Sequence, residues 1–193
     1  MKRDILERYD QTDDGHVVID VYASKVEELY EDFDKQAPYH RKDLDEELAA
    51  YLIDCVREIG QVGFIIRISL DGIPSADIQD RIKTSFRKFF MYQRELESAS
   101  MKLLLRKSLM FSFSGIVLLF GSLWLSGFMA PAPERSFYQQ VMVEGVTIAA
   151  WVSIWESLSI LLVNWWPSRQ RIRFNSLIAN AEVRFQAHLA ARR

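Results

Sequence analysis

Apolar and polar positions change rhythm several times along the chain, and each rhythm predicts an element. From His16 to Ala23 (HVVIDVYA) β-branched residues dominate, with Val17, Ile19 and Val21 on one face, which reads as a strand. Ser24 and Glu27 then form a capping box, and Val26, Leu29, Tyr30 and Phe33 supply the apolar stripe of a helix that stops before Pro38. A second helix is capped by Asp43 with Glu46, buries Leu44, Leu48, Leu52, Cys55 and Ile59, and ends at Gly60. Phe64 to Leu70 (FIIRISL) alternates again, with Arg67 and Ser69 on the opposite face. Ser75 caps a third helix, with Asp77 in its positive first turn.

That third helix has no stop signal. No proline follows Ala76 before the end of the next apolar stretch, and the first glycine is Gly115. Ile78, Ile82, Phe86, Phe89 and Leu96 continue one stripe, with Ser98-Ala99-Ser100 the place for a bend.

Two stretches then outrun any soluble core helix. Ser108 to Met129 and Gly145 to Trp166 are each 22 residues long; the first holds no ionisable group and the second only Glu156. About 20 apolar residues at 1.5 Å rise cross a bilayer's hydrocarbon. The prediction is an antiparallel pair of transmembrane helices joined by a short external loop, 130–144. Pro167 breaks the second, after which Phe174, Leu177, Ile178, Ala181, Phe185 and Leu189 suggest an amphipathic helix, resting on the membrane or packed on the protein.

The expected fold class is therefore an α+β membrane protein. Its parts are a flexible arm (1–15), a small β-α-α-β-α cytoplasmic domain (16–97), a helical stalk (98–107), a two-helix hairpin (108–129 and 145–166) and a basic amphipathic tail (167–193). Two strands make a marginal sheet, so its open edges are expected to pair with another copy or a partner.

Charge sharpens this picture. Residues 1–60 hold 8 Lys/Arg against 17 Asp/Glu, residues 61–107 hold 9 against 5, and residues 167–193 hold 6 against 1. Lys102, Arg106 and Lys107 precede the first span, Arg169, Arg171 and Arg173 follow the second, and the loop between offers only Arg135. By the positive-inside rule both termini are cytoplasmic, in a bacterial inner membrane, with the basic residues near anionic lipid headgroups. The polar first 16 residues do not resemble a signal peptide, and a single cysteine, Cys55, forms no intrachain disulfide.

Few residues suggest chemistry. In the first span Ser108, Ser112, Gly115, Leu119, Ser122 and Ser126 follow spacings of 4, 3, 4, 3 and 4, a small-residue seam suited to close helix packing. Gly145, Ala149 and Ser153 form a comparable ridge in the second span, leading to Glu156, so these faces are expected to meet. Glu156 is costly in lipid and should face protein or water. It is read either as a carboxyl bonded to a serine such as Ser114 or Ser122, or as an ion or proton site. Asn164 lies one turn inside the exit, and Trp165-Trp166 with Arg169 form an interfacial anchor. His16, His40 and His188 have no metal-ligand spacing, and no nucleotide-binding loop, nucleophile elbow or zinc motif occurs, so no cofactor is expected. Basic residues of the third helix point to lipid or the acidic N-terminal half rather than to nucleic acid.

The segments Ala37-Pro-Tyr-His-Arg-Lys-Asp-Leu-Asp45 and Trp165-Trp-Pro-Ser-Arg169 resemble those of a group of bacterial two-span membrane proteins with a small cytoplasmic domain and a Trp-Trp-Pro-basic exit. The resemblance implies this architecture and no particular activity. The expected function is that of a non-enzymatic membrane scaffold, oligomeric or an accessory subunit among other membrane proteins. A small homo-oligomeric channel or transporter built around Glu156 is the alternative.

Overall fold

β2 (Phe64–Leu70) is the central strand of a three-stranded parallel sheet in the computed structural model, which describes residues 6–32, 38, 42–60, 62–128 and 136–188. On one side β1 (Val17–Ala23) pairs with it, Ile19 opposite Ile66. On the other lies β3 (Glu182–Ala187), with Val183 opposite Ile66 and Phe185 opposite Ile68. Parallel neighbours need long crossovers. The first carries α1 (Glu46–Ile59); the second carries both long helices, α2 (Ala76–Phe128) and α3 (Phe137–Ala179).

β3 corrects the expected two-stranded sheet and the expected amphipathic tail. Pro167 lies inside α3 and does not end it. Proline removes one amide donor and crowds the carbonyl four residues back, but the next two turns are held by packing. Phe174, Leu177, Ile178 and Ala179 all join the core of the sheet unit. The chain then turns at Asn180-Ala181 and alternates, Val183 inward, Glu182 and Arg184 outward. Leu189 lies outside the described residues.

The chain forms two compact units, one of residues up to Leu96 together with those from Arg171, the other Glu97–Gln170. In the first, one face of the sheet (Ile19, Val21, Ile66, Ile68, Val183) packs on Leu52, Val56 and Ile59 of α1, Ile82, Phe86 and Phe90 of α2, and Ile178 of α3. Of the expected α2 stripe, Ile82 and Phe86 are buried and Ile78 and Phe89 partly so, whereas Leu96 is exposed. The opposite face of the sheet carries Asp20, Tyr22, Arg67, Ser69, Arg184 and Gln186.

Two predicted caps move. Asp45, not Asp43, caps α1 by accepting from the Leu48 amide at 2.9 Å, and Gly60 closes the helix at φ 79°. The helix expected from Ser24 shrinks to a 3-10 turn, Val26–Leu29, with no side-chain cap. The Ser24 amide instead donates to the Glu28 carboxylate at 2.8 Å. Tyr30 is extended because it bridges antiparallel to Leu44, through Glu31 N–H to Asp43 and Asp45 N–H to Leu29. Phe33 and His40 lie outside the described residues.

The expected flexible arm is, over residues 6–15, part of the sheet unit. Gln11 bridges Val17, and the Val18 amide donates to the Asp10 carbonyl at 2.8 Å, so the outer edge of β1 is met by the chain itself.

α2 is helical through Ser98-Ala99-Ser100, and its 53 residues correspond to about 80 Å. α3 begins at Phe137, so most of the described part of the expected 130–144 loop is helix; Arg135 lies outside the described residues. Both helices are long and apolar enough to cross a membrane, each with a window of mean hydropathy 1.8 of which only 17% is buried.

Candidate functional site

The paired apolar helices hold most of the residues singled out above. On α2 the small-residue seam is the packed face: Ser108, Gly115 and Ser122 are buried one heptad apart, with Ser112 and Leu119 half-buried between them and Ser126 half-buried beyond. Near one end of the seam the Ser108 hydroxyl lies 3.0 Å from both the hydroxyl and the carbonyl oxygen of Ser157. Near the other, the Ser122 and Thr147 hydroxyls are 2.6 Å apart, and Thr147 also donates to the Val143 carbonyl at 2.8 Å. Between these clasps sits Gly115. A methyl group there would lie 2.6 Å from Ile154 Cγ1 and 3.0 Å from the Ala150 carbonyl oxygen.

The partner face on α3 differs from expectation. It runs through Val143, Thr147, Ala150, Ile154 and Ser157, not through Gly145, Ala149 and Ser153. Gly145 and Ala149 are exposed, and half-buried Ser153 donates to the Ala149 carbonyl of its own helix at 2.9 Å. The physical cause is phase. Each residue turns the helix by about 100°, and the two lines run nearly parallel along one apolar surface.

Glu156 is affected most. It is exposed and makes no hydrogen bond among the described residues; the expected bond to Ser114 or Ser122 is absent, since Ser114 is exposed and Ser122 is held by Thr147. Asn164 is likewise exposed. Trp124, Trp151, Trp155 and Trp166 are all more than 60% exposed. Trp165 is 39% exposed and carries the Arg169 guanidinium 4.8 Å above its ring. Lys107 lies over Phe111 at 6.0 Å, and Lys102, Arg106, Arg171 and Arg173 are exposed.

A second cluster, in the sheet unit, was not anticipated. Arg67 on β2 reaches Asp20 on β1 at 2.7 Å and Asp10 in the arm at 2.6 Å, and these carboxylates hold its guanidinium well above its ordinary pKa. The Tyr9 hydroxyl donates to Glu58 at 2.8 Å, and Tyr51 to the Asp20 carbonyl at 3.2 Å. Burial first, then the Cys55 side chain, pushes both phenols up, Tyr51 to about 12. A cavity of about 270 Å³ lies among Tyr9, Asp10, Asp20, Tyr51, Cys55 and Glu58. The available signal was strand alternation, which puts Asp20 and Arg67 on the same face once the strands pair in register. Among the described residues no group of three or more His, Cys, Asp or Glu is placed to hold a metal ion.

No protein-family model, curated protein or solved structure matches this chain.

Proposed function

We propose that this chain is a non-enzymatic integral protein of the bacterial inner membrane, acting as an oligomeric scaffold or as an accessory subunit of a membrane complex. The observation that carries the reading is the outer surface of the helix pair. Leu109, Phe113, Phe120, Trp124, Trp151, Trp155 and Leu162 are each more than 60% exposed. An apolar surface of that extent is unfavourable in water and suited to lipid.

Further support comes from topology and charge. The strands flanking the long helices, β2 and β3, are hydrogen-bonded to each other. A hairpin crossing a bilayer and returning meets that requirement, and a single crossing does not. The Lys102, Arg106, Lys107 cluster and the Arg169, Arg171, Arg173 cluster put the shared side in the cytoplasm. The resemblance at Trp165 to Arg169 agrees with this architecture.

Alkaline-carbonate extraction of membranes tests the reading. The polypeptide should stay with the pellet, and release into the supernatant would overturn it. Impermeant thiol reagents applied from outside should leave cysteines placed in the sheet unit unlabelled. The outward position of Glu156 keeps one alternative in play, a homo-oligomeric channel lined by this carboxyl. Ion flux in proteoliposomes that is lost in Glu156→Gln would favour the channel over the scaffold.

A further inference from the structure

α3 carries two seams, and the hairpin uses one. The second is Gly145, Ala149, Val152, Glu156, Ser159 and Val163, with spacings of 4, 3, 4, 3 and 4, the rhythm by which α2 packs on α3. It lies roughly 160° around the helix from the used seam, on the nearly opposite side. Val152 and Val163 are 62% and 64% exposed, Gly145, Ala149 and Glu156 are exposed, and Ser159 is half-buried. Among the described residues Gly145 has nothing within 4 Å of the position its methyl would take, so no contact with them calls for a glycine there, in contrast to Gly115. Glu156 is an independent feature of the same line, a carboxyl at mid-span with no hydrogen-bond partner among the described residues.

Resting on the membrane reading above, we infer that this line is the contact face for a second copy of the chain, α3 beside α3 in parallel, with the two Glu156 carboxyls meeting. Copies inserted with the same topology bring identical residues to the same depth. A carboxyl in its acid form donates one hydrogen bond and accepts another, so two such groups are self-complementary. Neither 108–129 nor 145–166 contains Lys, Arg or His, so no base within either span competes for the acid. Small residues at heptad spacing allow the close, left-handed approach common between membrane helices.

Site-directed cross-linking tests the face. In a Cys55→Ala background, single cysteines at Ala149 or Val152 are compared with Trp151 and Leu162, on another side of α3, after reconstitution in phosphatidylcholine vesicles at high lipid excess. Oxidation should give dimers at Ala149→Cys and Val152→Cys and few at the other two. Glu156→Gln should preserve dimerisation, whereas Glu156→Ala should weaken it about tenfold, the loss expected for one or two interhelical hydrogen bonds in lipid. Independently of any cysteine, the wild-type particle freed of its detergent contribution should weigh twice the 22.5 kDa chain. Cross-linking equal at all four positions, a monomeric wild-type particle, or adducts in native membranes only with a polypeptide of another mass would each overturn the inference. A chain that floats with the vesicles but shows none of this preference defeats the inference alone. One that fails to float defeats the membrane reading.

Discussion

Gly115 of α2 and Ala150 of α3 approach so closely that a methyl group on the glycine would stand 3.0 Å from the alanine carbonyl oxygen. This contact lies between two hydroxyl clasps, one heptad away on either side along α2, and fixes the register of the pair. The clash is partly with backbone, which has nowhere to go. Gly115→Ala should therefore destabilise the helix pair by about 1–3 kcal/mol, the usual cost of overpacking, and Gly115→Leu by more. Gly145→Ala, with open space around it, should change the isolated hairpin by less than about 0.5 kcal/mol. Denaturant titration of the protein in mixed micelles, read by tryptophan fluorescence, measures both.

Hydroxyl clasps in lipid are individually weak. A double-mutant cycle on Ser122→Ala and Thr147→Val should give a coupling of about 0.6 kcal/mol, not exceeding about 1.7. Thr147 keeps its own Val143 carbonyl bond when Ser122 is removed, which limits the loss. A coupling near zero would mean that packing at Gly115 alone holds the pair.

The phenol of Tyr51 makes the sheet unit sensitive to alkali. Its pKa is raised from 10.0 to about 12 in the folded chain, by burial first and by Cys55 next. Folding thus favours the neutral phenol. The associated stability is fully present below pH 10 and is lost as pH rises from about 10 through about 12. Tyr9 shifts in the same direction. Tyr51→Phe should show a shallower loss of stability than wild type across that window, followed by circular dichroism. Identical slopes would remove Tyr51 from the account.

Val183 places β3 on the core, opposite Ile66 of the central strand. Val183→Asp introduces an unpaired charge at a buried position, a change expected to cost about 3 kcal/mol or more. Amide protection along Ile65–Leu70 should fall by orders of magnitude, while protection within Ser108–Ser122 changes little. Loss confined to 182–187 would show that β1 and β2 hold together without the third strand.

The elements read most easily from sequence were those with local signals. Nothing between Ala76 and Phe128 interrupts a helix before Gly115, and α2 is one helix. The seam at Ser108, Gly115 and Ser122 was legible because small residues at heptad spacing stand out among large apolar ones. The facing seam was not. α3 is apolar nearly all round, so Gly145-Ala149-Ser153 and Thr147-Ala150-Ile154 fit the rhythm equally well, and only packing selects between them. β3 was hidden for a related reason. Ala181 and Phe185, four apart, mimic a helical face, while Val183, Phe185 and Ala187, two apart, are the alternation that forms. The partner that decides the matter, Ile66, is more than a hundred residues away in the chain. At the start of α1 Asp43 was the expected cap, but its carbonyl accepts from the Glu31 amide in the bridge of Tyr30 to Leu44, and Asp45 caps the helix instead.

The order of β2 and β3 in the chain has a consequence for biosynthesis. When a ribosome has made β1, α1 and β2, the central strand still presents one bare edge, and its missing neighbour is encoded beyond two long apolar helices. The sheet is completed only after both helices have been translated and the second has brought residues 182–187 back beside β2. On the membrane reading proposed above, a nascent chain threaded the wrong way would have no strand to offer there, and closure of this small sheet would distinguish a correctly inserted molecule from a mis-threaded one.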